Sequence, residues 1–256
     1  MIRFLKWTRI LFWWGLFTLI LASAAAVGVY DFYRFPTMAE IQHFSNISDD
    51  YSRAYKKAAQ KSRASAVMVM SGDLFFRGFA MSSGTYFIAN DTPYVITAAH
   101  GIFGSCFLTT ISHDESLYDC DEIVAIDRET DYAIIRLKEK MANREPVNIP
   151  RDLPRGSQWK SSYSLLNKII YTGYPNVIGP LTLKGDVIGY TYDDYIYVFS
   201  HAYGGSSGSG VLSADGKYIG LIMAISVGES EFGVDVLENI VIVTPAYKVD
   251  WSVVLN

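Results

Sequence analysis

One glycine-rich stretch, Gly204-Gly205-Ser206-Ser207-Gly208-Ser209-Gly210, carries a residue that could act as a nucleophile. A turn with this many residues lacking side chains lets backbone come close to something else. Here Ser207 would present its hydroxyl while the amides of Gly205 and Ser207 converge on one point. Paired donors of that kind stabilise the oxyanion of acyl transfer. The same stretch is also compatible with a flexible Gly/Ser loop. A serine hydroxyl is a weak nucleophile alone, so the chemistry demands a histidine and an orienting carboxylate elsewhere.

Both are present upstream. Val95-Ile96-Thr97-Ala98-Ala99-His100 is an apolar strand ending in small residues and a histidine, and Thr130-Asp131 leads into the apolar run Tyr132–Leu137. Three other histidines compete for the role of base: His43 precedes the strand-rich region, His113 falls in an expected surface turn, and His201 lies six residues before Ser207. Among nearby acids, Asp131 is preferred to Asp121 and Asp127, because a strand starting beside it would bury its carboxylate against the imidazole.

The order His100, Asp131, Ser207 is that of the chymotrypsin-fold triad. The chain resembles the trypsin-like serine peptidases, in motif style the bacterial high-temperature-requirement and glutamyl-endopeptidase branches. The resemblance rests on TAAH at His100, TDYAIIRL at Asp131, Gly173-Tyr174-Pro175 and GSSGSG around Ser207, and spans residues 65 to 250. It implies an all-β domain of two six-stranded antiparallel barrels with the site between them. It also implies a serine endopeptidase acting on proteins or peptides, with His100, Asp131 and Ser207 as triad and the Gly205 and Ser207 amides as oxyanion hole. The family places the floor of its primary specificity pocket near His201 and Tyr203. Digestive members carry an aspartate before the nucleophile that pairs with a freed N-terminal ammonium. Ser206 stands there instead, so that route of activation is not expected. The chain ends about ten residues after Thr244-Pro245, which leaves no room for the peptide-binding domain that high-temperature-requirement proteases append. A catalytically inactive binding module on the same fold is the alternative. An α/β-hydrolase is excluded, because no histidine follows Ser207.

Composition narrows the remainder. At 256 residues the chain suffices for one sizeable domain and an appendage. A net charge of -4 without a basic cluster argues against nucleic acid as partner. Two cysteines and four histidines, without His-Glu-x-x-His or Cys-x-x-Cys spacing, predict neither metal nor other cofactor.

The first nine residues contain Arg3, Lys6 and Arg9, and no charge follows from Ile10 to Tyr30. As a helix that run would be roughly 31 Å long, the thickness of a bilayer's hydrocarbon core. Trp7, Trp13 and Trp14 toward one end and Tyr30, Phe32, Tyr33 and Phe35 at the other match interfacial belts. The expectation is a cytoplasmic segment at 1–9, a signal-anchor helix at 10–30, a partly helical stalk at 31–64 and an extracytoplasmic peptidase domain at 65–256. A cleaved signal peptide ending near Ala24 is the alternative.

Within the domain, Ala66–Met70, Leu74–Met81, Thr85–Ala89 and Tyr94–Thr97 are expected strands, with Ser82-Ser83-Gly84 as a turn. Cys106–Ile111 and Leu117–Asp127 would form a hairpin about His113. Cys106 would then face Cys120, close enough for a cross-strand disulfide. Export would make oxidation feasible, and two reduced core cysteines are the alternative. Later strands are expected at Lys168–Thr172, Leu181–Tyr190, Tyr195–Ser200, Lys217–Ser226 and Ile240–Val243. No sequence repeat relates the two halves.

Overall fold

The computed structural model describes residue 18 and residues 51–256, apart from 74–77, 104, 114–115, 143, 152, 154–155, 231–232 and 256. The chain divides into two units, Met1–Phe35 and Pro36–Asn256, and every element below belongs to the second. Save for residue 18, the expected anchor at 10–30 lies outside the described residues, as does the stalk at 31–50. Among the described residues no helix is long and apolar enough to cross a membrane.

Strands β1 (Ala66–Gly72), β2 (Phe79–Ala89), β3 (Thr92–Thr97), β4 (Thr109–His113), β5 (Ser116–Asp127) and β6 (Tyr132–Leu137) close into one antiparallel barrel in the order β1-β2-β3-β6-β5-β4. A second barrel is built from β7 (Lys168–Gly173), β8 (Leu181–Tyr190), β9 (Ile196–Phe199), β10 (Gly210–Ser213), β11 (Tyr218–Ser230) and β12 (Gly233–Pro245). Its order, β7-β8-β9-β12-β11-β10, repeats the first. The expected two-barrel fold is therefore present, with a repeat in topology that has no counterpart in residue identity.

Side chains alternate across a strand, and β3 and β6 are buried on both faces. Val95, Ala133, Ile135 and Leu137 enter the core of the first barrel beside Val67, Val69 and Tyr86. Ile96 and Ile134 face the other way and pack with Phe87 against Leu212, Tyr218 and Leu221 of the second barrel. Trp251 meets both Phe87 and Tyr218 edge to face, at 5.8 and 6.0 Å between centroids, and so ties the C-terminal segment across the join. That double burial is why 132–135 is continuously apolar, while Arg136 is half-exposed and pairs with Asp121 and Glu122.

Three local expectations are corrected. Ser82-Ser83-Gly84 is not a turn: it lies inside β2, which runs unbroken from Phe79 to Ala89. Ser82 and Ser83 are buried, and a Cβ on Gly84 would lie 2.7 Å from Val95 and 2.9 Å from Val69. The small residues thus admit close packing rather than a reversal. His113 is no surface residue: it ends β4, is 2% exposed, and its Nδ1 accepts a hydrogen bond from Arg144.

The Cys106–Cys120 bridge forms, with 5.2 Å between Cα atoms, but not across the expected hairpin. β4 and β5 pair as Thr110↔Asp119 and Ile111↔Tyr118, which centres the turn on 114–115. Cys106 instead sits in a 3₁₀ turn, Cys106–Leu108, and Cys120 is paired on its other side with Leu137. The bridge closes a separation of 14 residues, for which chain entropy gives about 3 kcal/mol. Replacing both cysteines by serine is expected to lower the unfolding free energy by about that amount, read in urea melts as a lower midpoint.

Ahead of β1, helix α1 (Arg53–Ser65) starts at Ser52, whose hydroxyl accepts the Tyr55 amide at 3.3 Å. The helix was expected in this region as part of a stalk, but it lies on the second barrel. Its small face, Ala58 and Ala59, is buried with Tyr55 against Ile170. Arg53 and Lys57 are exposed, but the two basic residues of its last turns bind the domain. Lys61 donates to Gly216 O at 3.1 Å, and Arg63 to Pro180 O at 3.1 Å and Thr182 Oγ1 at 2.9 Å. At the C-terminal end Arg144 donates to the carbonyls of Arg63 and Ala64 at 2.8 and 3.0 Å, a cation where the helix leaves carbonyls unsatisfied. Burial holds that guanidinium below its ordinary value, at about 10. The compact domain therefore begins before residue 65.

Candidate active site

His100 is delivered by the end of β3. After Thr97 the chain makes a 3₁₀ turn, Ala99–Gly101, in which Ala98 and Ala99 are fully buried. Small side chains suit that burial, which accounts for the residues before the histidine. The ring projects outward and is half exposed. Arg128 fastens the turn from the neighbouring loop, donating to Ala99 O at 3.1 Å and Ile102 O at 2.8 Å.

Asp131 sits in the tight connection between β5 and β6 with φ +57 and is 5% exposed. That left-handed backbone is one Asp tolerates better than most residues. The Asp127 carboxylate builds the turn by accepting the amides of Glu129 and Thr130 at 2.8 and 3.2 Å. From the second barrel, Thr244 Oγ1 donates to Thr130 O at 3.0 Å and the Tyr195 hydroxyl to Glu129 O at 3.1 Å. The carboxylate itself grips His100 twice: Oδ1 accepts the backbone amide at 2.8 Å, and Oδ2 lies 2.7 Å from Nδ1. Hydrogen bonding to Asp131 raises the His100 pKa above its ordinary value. Burial opposes the rise, the charge of Asp131 adds to it, and Arg128 works against it.

Ser207 lies in the loop between β9 and β10. With His100 and Asp131 it lines one cleft of about 450 Å³, joined by Arg128, Tyr203 and Met223. No hydrogen bond links the Ser207 hydroxyl to the imidazole, a looseness common before substrate closes a site. The carbonyls on either side of the expected nucleophile are engaged. Gly204 O accepts from Asn176 N at 2.7 Å, Ser206 O from Ser209 N at 3.1 Å, and Ser207 O from Ser83 N at 2.8 Å. Among the described residues the amides of Gly205 and Ser207 donate to nothing. Ser206, where digestive relatives carry aspartate, is 2% exposed and accepts the Tyr203 amide at 3.2 Å. Its hydroxyl braces the loop from within.

Of the two residues expected at a specificity pocket, Tyr203 lines the cleft and His201 does not. His201 borders a second groove of about 550 Å³ with Tyr51, Tyr55 and Phe199, and its carbonyl accepts the Tyr171 hydroxyl. The chain is irregular from His201 to Tyr203, so the two side chains two residues apart face different grooves. Sequence reasoning missed Arg128, Ser83, Tyr195 and Thr244, whose roles exist only through contacts distant in the chain. Among the described residues no group of three or more His, Cys, Asp or Glu side chains could hold a metal ion.

Comparison with known proteins bears on what this geometry is. The first solved structure of note is a serine endoprotease from Yersinia pestis, with a TM-score of 0.58 and 18% identity over 80% of this chain and 68% of that one. The Rv3671c protease of M. tuberculosis in its active form matches with TM-score 0.58 and 14% identity, over 77% of this chain and 83% of that one. The HtrA-type protease AlgW with a tripeptide matches with TM-score 0.58 and 18% identity, over 78% of this chain and 63% of that one. These likenesses concern the fold. No curated protein matches the chain. A family model described as the trypsin-like peptidase domain matches residues 78–221, more than half of the chain and the span that contains all three cleft residues. The protein belongs to the trypsin-like peptidase family and is a hydrolase of the serine-peptidase type.

Proposed function

We propose that this protein is an endopeptidase that cleaves protein or peptide substrates through His100, Asp131 and Ser207 by way of an acyl-enzyme. One observation carries the reading: the carboxylate that fixes both the backbone and the ring of His100 does so in the cleft that also holds Ser207. His100 Nε2 takes the proton of Ser207 Oγ as that oxygen attacks the peptide carbonyl, and Asp131 stabilises the imidazolium. The amides of Gly205 and Ser207 donate to the oxyanion. Nε2 then returns the proton to the leaving amine. Water, deprotonated by His100, attacks the ester, and Nε2 passes that proton to the departing Ser207 Oγ as the acid is released.

Substrate would enter as an added strand. β10 pairs with β11 only as far as Leu221, and Ile222 is held by Ser209 O and Gly208 N, so β11 beyond Met223 offers an edge beside the cleft. Ala202, Tyr203, Ile222 and Met223 line the cleft near Ser207, which favours an apolar side chain before the scissile bond. A histidine-lined pocket for acidic side chains finds no support, because His201 faces elsewhere.

The reading includes tethering: the uncharged run at 10–30 behind Arg3, Lys6 and Arg9 would leave the N-terminus cytoplasmic and the domain outside. A fluorophosphonate probe tests the chemistry. Labelling of the wild type that is lost in Ser207→Ala supports the peptidase, and a folded wild type that never labels favours a binding module. Carbonate extraction of the full chain tests the anchor. Retention in the membrane pellet is expected, and release of a chain shortened near Ala24 would show a cleaved leader instead.

A further inference from the structure

We propose that Ser83, in β2 of the first barrel, is the positioning residue that holds the oxyanion loop of the second barrel in its competent conformation. The proposal rests on the triad reading above and extends it.

Ser83 is fully buried, and every polar atom it has is engaged. Its hydroxyl donates to Gly205 O at 2.6 Å and accepts the Tyr174 amide at 2.8 Å. Its own amide donates to Ser207 O at 2.8 Å. Its carbonyl accepts the Thr97 hydroxyl at 2.7 Å, which keeps it attached to the strand that delivers His100. Three of these four bonds cross to the second barrel, two of them to the residues whose amides would meet the oxyanion.

The direction of those amides depends on the carbonyls. In a trans peptide the C=O and N–H point opposite ways. Asn176 N holding Gly204 O therefore aims the Gly205 N–H the other way, and Ser209 N holding Ser206 O does the same for the Ser207 N–H. Between them lies the Gly205–Ser206 peptide. Gly205 has φ +92, a region open to glycine, in a loop where rotation of a peptide costs little by itself. One end of that peptide, the Ser206 amide, donates to Tyr203 O at 2.9 Å. The other, Gly205 O, is held by Ser83 Oγ. Without that hydroxyl the half-buried Gly205 carbonyl has lost its donor and gains by rotating toward the solvated cleft. There it would set an oxygen lone pair where the donors must converge. The packing agrees: a Cβ on Gly205 would lie 2.8 Å from Tyr174 O, so the loop is pressed onto the segment that the same hydroxyl organises.

The test is Ser83→Ala, compared with Ser62→Ala, which removes another buried hydroxyl, bonded to Thr172 Oγ1 at 2.8 Å rather than to a residue of the loop. Because the oxyanion exists only in the transition state, kcat on a peptide substrate is expected to fall about 10- to 100-fold in Ser83→Ala with KM nearly unchanged. Affinity for a peptide boronate, which places an oxygen in the hole, should fall by a similar factor, while affinity for the product peptide stays. Ser62→Ala should keep wild-type kcat, and Ser83→Thr, which keeps the hydroxyl, should recover most of the loss. If Ser83→Ala does not fold, Ser83→Cys is read instead, and its weaker donor should give an intermediate loss. A Ser83→Ala enzyme with kcat within twofold of wild type, or one that loses boronate and product affinity alike, overturns the proposal. A wild type that reacts with neither boronate nor fluorophosphonate overturns the triad reading and the clamp together, whereas failure of the clamp alone leaves wild-type labelling intact.

Discussion

Ser207→Ala is expected to lower kcat by about 10⁶-fold, to the level that binding and the oxyanion donors supply without a nucleophile. His100→Ala should fall by nearly the same factor, and the double variant should be little worse than either. The reason is that the two side chains perform one step: without Nε2 the hydroxyl keeps its proton, and without the hydroxyl Nε2 has no proton to take. Ser207→Ala should cost little stability, since Ser207 Oγ has no hydrogen-bond partner among the described residues, whereas His100→Ala leaves Oδ2 of the buried Asp131 carboxylate without its ring partner and should cost some. The measurement is burst kinetics with an activated ester on folded variants matched by thermal melting. Independent, multiplicative losses would mean that the two residues do not act as a unit, and a Ser207→Ala enzyme retaining more than about 1% of kcat would place the nucleophile elsewhere.

The parts of this site that could be read in the residue order are those in which one short segment contains both the chemistry and its support. His100 follows a strand whose last residues must be small because they are buried in the turn. Asp131 opens a strand apolar on both faces because β6 divides two cores. Ser207 lies in a loop whose glycines let backbone approach Tyr174 O and Ser83 O. The parts that stayed hidden depend on partners far away in the chain. Ser83 looked like one of three turn formers, since Ser-Ser-Gly is as suited to a reversal as to a crowded strand, and only the valines facing Gly84 decide between them. His113 looked exposed because histidine and acidic residues cluster there, yet the true turn is one or two residues later and carries the ring inside. The cysteine pair was identified with the wrong geometry: both are near enough to bond, but a 3₁₀ turn rather than a strand supplies Cys106. His201 is placed near the pocket by its distance from Ser207 along the chain, whereas the irregular backbone after Phe199 decides which way each side chain faces.

Asp131→Asn is expected to be the second most damaging single change, lowering kcat by about 10⁴-fold without loss of fold. The amide can keep Oδ1 on the His100 backbone N–H, where the carboxylate accepts at 2.8 Å. That choice turns Nδ2, a donor, toward Nδ1 of the ring. The imidazole must then carry its proton on Nε2, the atom that has to receive the proton of Ser207, and the base is blocked by its own tautomer. The pH profile separates this from a packing defect. In the wild type Asp131 raises the His100 pKa, so the acid limb of kcat/KM should have its midpoint above the ordinary value of about 6.5. In Asp131→Asn the raising charge and hydrogen bond are gone while burial and Arg128 still lower the pKa, so the limb should move below that value. Stability should change in the matching sense. A pKa raised on folding contributes in full below the unfolded value and is lost as pH rises through the folded one. The variant should therefore be most destabilised relative to wild type on the acid side of the unfolded histidine pKa, and the difference should shrink toward alkaline pH. Urea melts at several pH values and NMR titration of the His100 ring measure both. An acid limb that stays where the wild type has it would mean that Asp131 does not control this imidazole, whatever the distance between them.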